Sequence, residues 1–183
     1  MAIAGIDYSM TTPAICVFDD WNGNFHSSHC YFRSNLARFE CFVDKNIVGE
    51  NHNQFTCDQD RYDDIAEWAM KILTNHNVTS VFLEGYSFGS MGKVFNIAEN
   101  TAILKDRIWD HEIDFDVIAP SAIKKFETGK GNANKDVMYT AFSDENPSIK
   151  LKDILTPRAS KAISPVSDIV DAYYICRYGV SKN

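Results

Sequence analysis

An apolar run of about 18 residues, the length that spans a bilayer as a helix, is missing from this chain, so no membrane partner is expected. Also missing is a basic segment ahead of an apolar one at the start. Met1 leads directly into a strand-like run, and a secretory leader is not expected. The five cysteines (Cys16, Cys30, Cys41, Cys57 and Cys176) are odd in number, widely scattered and never spaced as a C-x-x-C pair. That pattern argues against a disulfide framework and fits reduced thiols in a cytoplasmic protein, and no zinc site is expected. Internal repeats and low-complexity tracts are absent too.

Positive charge is in short supply: 18 Lys and Arg stand against 25 Asp and Glu, for a net charge of −7. Spread evenly, that balance would repel nucleic acid. It is not spread evenly. Residues 1–92 hold 5 basic and 12 acidic residues, whereas residues 93–161 hold 11 of each. Over residues 119–135, Lys124, Lys125, Lys130 and Lys135 stand against a single acid, Glu127. A local basic loop of this kind can hold phosphates on an acidic protein, with marked sensitivity to salt.

The 183 residues, 45% hydrophobic, are enough for one well-buried core, and a single domain over 1–183 is the simplest division. Apolar and β-prone runs predict strands at 2–8, 13–19 and 25–33, with turns at Thr11-Thr12-Pro13 and at Trp21-Asn22-Gly23-Asn24. Residues 35–57 read as an insertion or long loop, with short strand pieces around 40–43 and an irregular stretch at 49–54. Ile65, Trp68, Ala69, Ile72 and Leu73 form a helical stripe within 59–76. A strand at 79–85, a helix at 93–112 and a strand at 114–119 follow. Helices near 121–127 and 133–143 flank a glycine-containing loop. Residues 145–162, with Pro147 and Pro157, predict a mobile connection. Ser164-Pro165 predicts an N-cap and first-turn proline opening a last helix that runs to about Tyr178. The expected architecture is α/β: a mixed five-stranded sheet with helices on both faces.

Four acids stand out against this frame. Asp7 ends the run Ala2-Ile3-Ala4-Gly5-Ile6, and Glu84 ends Val81-Phe82-Leu83. Carboxylates at the ends of buried strands point into the crevice where α/β sheets place their sites. Asp168 and Asp171 are three apart on the last helix and share a face. The helix dipole accounts for an acid in the first turn, Asp168, but not for Asp171 among Ile169, Val170, Ala172 and Tyr173, where an acid needs a cation. Taken singly, Asp7 can be a turn residue, Glu84 a paired structural acid, and the loop with Gly129 and Gly131 a solvated connection. Those two glycines would also let backbone N–H groups approach a phosphate.

In order, the chain shows Asp7, Glu84, Pro120-Ser121-Ala122-Ile123-Lys124-Lys125, Gly129-Lys130-Gly131-Asn132-Ala133-Asn134-Lys135, and Asp168-Ile169-Val170-Asp171-Ala172. This ordered set resembles the RuvC-type Holliday junction resolvases of the ribonuclease H-like superfamily, over essentially the whole chain. The acidic first half and the enlarged 35–57 region depart from the bacterial pattern and fit a phage-encoded member acting on a broader range of branched DNA.

The resemblance implies a Mg²⁺-dependent endonuclease that cuts four-way and other branched DNA. Asp7, Glu84, Asp168 and Asp171 would hold two Mg²⁺ ions roughly 3.5–4 Å apart, with Mn²⁺ able to substitute. Lys135 joins them as a positioned catalytic charge. Lys124, Lys125, Lys130 and Lys135 would contact DNA phosphates, with Tyr86 or Phe88 as the aromatic at the junction. A homodimer is expected, because two symmetric cuts match a two-fold assembly. Its surface is expected on the 93–112 helix, where Phe95, Ile103 and Trp109 lie off the core stripe. Three other readings remain: a junction-binding protein without catalysis, a nuclease acting on RNA, and one lobe of an actin-like or sugar-kinase phosphotransferase, suggested by Gly5-Ile6-Asp7 and Thr11-Thr12.

Overall fold

A computed structural model describes residues 1–86 and 94–182. The five predicted strands all form: β1 (Ala2–Asp7), β2 (Ala14–Phe18), β3 (Ser28–Ser34), β6 (Val78–Glu84) and β7 (Asp114–Ile118). Two more, β4 (Cys41–Asp44) and β5 (Ile47–Asn51), come from the segment read as an insertion. The sheet is therefore mixed and α/β as expected, but seven-stranded, in the order β4-β5-β3-β2-β1-β6-β7. The extra pair is a hairpin whose turn holds Lys45 at φ 53, and β5 joins the outer edge of β3 in parallel. The strand pieces expected around 40–43 correspond to β4, whereas β5 overlaps the stretch read as irregular at 49–54; both are short, and only Ile47 and Gly49 are buried in them.

The third predicted strand starts late. Phe25–Ser27 form a 3₁₀ turn because the Asn24 side chain accepts from the His26 N–H, and pairing begins only at Ser28.

The helices are α1 (Asp58–Asn75), α2 (Val94–Asp110), α3 (Pro120–Thr128), α4 (Lys135–Glu145), α5 (Leu151–Leu155) and α6 (Val166–Val180). Strand residues alternate between two cores, as a period of two requires. Ala4, Ile6, Ile15, Val17, Val81 and Leu83 face α1 and α2. Ile3, Cys16, Phe18, Phe32, Phe82 and Ile118 face the other layer, where α6 lies with α3, α4 and α5 packed around it. There Phe25, Phe142 and Tyr173 meet edge to face with centroids 5.0–5.7 Å apart, a geometry that adds roughly 0.5–1.5 kcal/mol per pair to area burial.

The α1 stripe is buried throughout. On α2 the apolar stripe expected from Val94, Ile97, Ala98, Thr101, Leu104 and Ile108 holds only in its second half: Thr101, Leu104 and Ile108 are buried, while Val94 is exposed. Residues 145–162 are less loose than their composition predicts. They contain α5, whose Leu151 and Leu155 enter the core, and the Ala162 N–H donates to Asp136 Oδ1 on α4 at 2.9 Å. Ser164 does not cap α6, whose cap residue is Pro165 with no side-chain bond; Ser164 Oγ instead accepts from Thr12 Oγ1 at 3.3 Å.

One close approach sets the site. A Cβ on Gly5 would collide with the Ala172 carbonyl and the Cys176 N–H, so only glycine lets α6 lie directly on β1. Gly179 does the same one layer along, where the Phe82 ring occupies the space of its missing side chain.

Candidate active site

β1 and β6 run parallel with Ile6 opposite Leu83, so the residues that follow, Asp7 and Glu84, emerge side by side at the same edge of the sheet. The Gly85 N–H donates to the Ile118 carbonyl at 2.7 Å and pins the chain just past Glu84. Across the Gly5 contact, α6 carries Asp168 in its first turn and Asp171 one turn further, both toward the end of β1. One carboxylate oxygen each from Asp7, Asp168 and Asp171 lies within 4.8 Å of the others. Glu84 stands beside this trio and lines the same cavity of about 320 Å³.

The electrostatics follow from that crowding. Burial first, and then Asp168, Asp171 and Glu84, push the Asp7 carboxyl well above the usual carboxylate range. Burial also raises Asp171, to about 7, with Glu84 and Asp168 adding to the shift. Glu84 is raised by burial as well, while Lys124 and Lys135 pull it down.

Lys135 sits at the first position of α4, where Asn134 caps the helix by accepting from the Val137 N–H at 3.0 Å. Its Nζ donates to Asp168 Oδ1 at 3.0 Å and to Ser167 Oγ at 2.9 Å. Burial alone would lower the Lys135 pKa, but Asp168, Asp171 and Asp7 outweigh it and hold the ammonium charged.

The second Asp168 oxygen, Oδ2, is buried and has no hydrogen-bond partner among the described residues. A buried carboxylate oxygen left without a donor is costly, and a hard dication satisfies it. The donor set is all carboxylate oxygen, which suits Mg²⁺ or Mn²⁺ better than a thiolate-seeking metal. The residues present therefore fit a divalent metal.

The basic residues divide. Lys124, on the inner face of α3, and Lys135 line the cavity. Lys125 and Lys130 are exposed and lie outside its lining. The glycines of the loop serve structure: Gly129 is the left-handed C-cap of α3 at φ 75, and its N–H donates to the Lys125 carbonyl, so it is not free for a phosphate. Gly131 packs on the Ser121 carbonyl, which a Cβ would approach to 3.2 Å.

Tyr86 is 40% exposed at the mouth of an adjoining groove, with Lys105 Nζ 5.4 Å from its ring centroid. Phe88, the other aromatic candidate, lies outside the described residues. Sequence reasoning passed over Ser9, Thr12, Ser164 and Ser167, which bring hydroxyls to the cavity wall or to Lys135. The polar turn after Asp7 signals Ser9 and Thr12, whereas Ser164 and Ser167 stand at the start of α6.

No protein-family model matches the chain, and no curated protein matches it in sequence. Among solved structures, Thermus thermophilus RuvC in complex with a Holliday junction substrate matches over 100% of this chain and 96% of its own, with a TM-score of 0.63 at 12% identity. The chain has the RuvC fold. The fowlpox virus resolvase, solved with its substrate Holliday junction DNA, matches over 100% of this chain and 98% of its own, with a TM-score of 0.55 at 14% identity. The yeast mitochondrial Holliday junction resolvase Ydc2 matches over 95% and 75%, with a TM-score of 0.57 at 12% identity. In this chain the four acids occupy the ends of the neighbouring strands β1 and β6 and the helix α6 packed on them.

Proposed function

We propose that this chain is a structure-selective endonuclease that uses divalent metal, Mg²⁺ in the cell, to cut Holliday junctions and other branched DNA. The observation that carries the reading is the convergence of Asp7, Glu84, Asp168 and Asp171 on one open cavity with Lys124 and Lys135 on its wall. Its support in the fold is that RuvC-fold structures of T. thermophilus and fowlpox virus are recorded with Holliday junctions. In this reading residues 1–183 work as one nuclease domain.

Asp7, Asp168 and Asp171 hold the metal, with Glu84 completing the set. Bound metal supplies an acidified water and positive charge at the departing oxygen. The chain's own groups do the rest. Lys135 holds Asp168 by one oxygen, Oδ1, and leaves the buried Oδ2 without a partner among the described residues. Lys124 and Lys135 favour the ionised forms of Glu84 and Asp171 and offset part of the upward shift that burial imposes on them. The same two lysines place positive charge where a phosphate backbone enters. Lys125 and Lys130, outside the cavity, contact flanking phosphates, and Tyr86 packs against an unstacked base at the branch.

A two-fold dimer through α2 completes the assembly. Phe95 and Trp109 are 82% and 75% exposed on that helix, apolar area that a second copy would cover. Ile103, expected with them, packs against the α1-side core instead.

The test is a parallel assay of a four-way DNA junction, a linear DNA duplex and an RNA hairpin, each in Mg²⁺ and in EDTA. Cutting confined to the junction and to Mg²⁺ is expected. Asp7→Asn should abolish cutting while junction binding survives. Full Mg²⁺-dependent cleavage by this variant would overturn the assignment.

A further inference from the structure

At the far end of the sheet from the four acids, a second group of metal-ligating side chains converges. β2 runs antiparallel to β1, with Ile3 opposite Phe18 and Asp7 opposite Ala14. Asp19, just past Phe18, therefore lies roughly 15 Å from Asp7 along the strands. His29 of β3 pairs with Val17, two residues before Asp19, so both side chains leave the α1 face of the sheet. His76 closes α1 and reaches the same place from above.

Its Nδ1 lies 2.8 Å from Asp19 Oδ1, and His29 Nε2 lies 3.4 Å from Asp19 Oδ2. One ligand atom from each of the three residues falls within 4.8 Å of the others. The corners of a tetrahedron around a metal at about 2.05 Å stand roughly 3.3 Å apart, so only small side-chain adjustment brings the three atoms onto one ion.

The geometry points to Asp19, His29 and His76 as a binding site for a zinc-class transition-metal dication. Two imidazoles and a carboxylate, with a fourth position open to solvent, suit Zn²⁺, Ni²⁺ or Co²⁺ and are poorly matched to Mg²⁺. The cysteine pattern carries no such signal because the site uses no cysteine.

Tyr31 supplies the outer support. Its hydroxyl lies 2.8 Å from His76 Nε2, on the side of the ring away from Asp19. Without metal, a neutral His76 donates from Nδ1 to the carboxylate and accepts from the Tyr31 hydroxyl. With metal on Nδ1, the ring proton moves to Nε2 and the tyrosine oxygen accepts it. The hydroxyl serves both tautomers by rotating. A bound ion would tie the β2–β3 connection to the C-terminal end of α1, joining two segments far apart in sequence and remote from the cutting site.

The test is Zn²⁺ binding to the full chain by calorimetry in millimolar Mg²⁺, with Co²⁺ absorption as a second readout. Wild type should take up one more Zn²⁺ than His29→Gln, which changes a half-exposed side chain and should leave the fold intact. Co²⁺ should give visible bands of a nitrogen- and oxygen-ligated ion in wild type and lose them in His29→Gln. Tyr31→Phe should retain the site with roughly tenfold weaker affinity. Wild type and His29→Gln binding the same number of Zn²⁺ ions with the same affinity would overturn the proposal. Wild-type Co²⁺ spectra without imidazole ligation would overturn it as well.

Discussion

Replacing Asp171 by Asn should stabilise the metal-free protein at alkaline pH while destroying its response to metal. Asp171 is half-buried beside three other carboxylates, and the desolvation this brings, followed by Glu84, raises its pKa from 3.8 to about 7. A carboxyl whose folded pKa exceeds its unfolded one adds stability that is fully present below the unfolded value and is lost as pH rises through the folded value. The window here runs from about pH 4 to about pH 7. A shift of some three units corresponds to about 4 kcal/mol for an isolated group. Because Asp171 shares its repulsion with Glu84 and Asp168, we expect about 2–4 kcal/mol from its neutralisation. That is a large fraction of the roughly 5–15 kcal/mol that holds a typical domain together. In EDTA at pH 8, urea unfolding should show Asp171→Asn more stable than wild type by that margin, with the difference nearly gone at pH 4. Saturating Mg²⁺ should reverse the order at pH 8, because only the wild type gains a full ligand set. Equal stability of the two proteins in EDTA at pH 8, with the same pH dependence, would refute the reasoning.

Further outcomes follow from the same contacts. Lys130→Ala should weaken binding to all junction sequences about equally and reduce the salt slope by roughly one phosphate contact, read by binding titrations at several salt concentrations. For Lys135→Ala, single-turnover cleavage should fall by more than affinity does, since Asp168 loses its 3.0 Å partner; a rate loss fully explained by weaker binding would reduce Lys135 to a phosphate anchor. Gly5→Ala should destabilise by about 2–3 kcal/mol or prevent folding, because its methyl group collides with the α6 backbone. Trp109→Lys should leave a monomer by light scattering at micromolar concentration and end paired cutting, whereas wild type should be dimeric; a monomeric wild type that still makes paired cuts would remove the dimer from the account.

Local pattern carried much of the architecture. The strands β1, β2, β3, β6 and β7 and the helix α1 were legible because apolar runs and a period of 3.6 depend only on near neighbours. Asp7 and Glu84 were legible as acids closing apolar strands, and Asp168 and Asp171 as acids one turn apart on an apolar helix. The β4–β5 hairpin was only hinted at, since an edge pair buries little and its residues alternate between exposed and half-buried. The polar connection at 145–162 hid α5, whose two leucines reach the core only because α4 anchors the far end of the segment.

The amino-acid order alone marks Asp7, Glu84, Asp168 and Asp171 as candidates for metal chemistry and sets the order in which strands and helices deliver them. Tertiary structure alone decided which of them meet. Gly5 admits α6 against β1 and so converts two distant acid pairs into one cluster. The cap on α4 turns Lys135 toward Asp168, 33 residues away, while Lys125 and Lys130, from the same stretch of sequence, stay outside the cavity. Asp19, His29 and His76 share no spacing at all, and only the register of β2 on β3 and the end of α1 bring them together. Periodicity reports the environment a residue needs within its own element; contacts between elements depend on how closely backbones can approach, which is settled by packing in three dimensions.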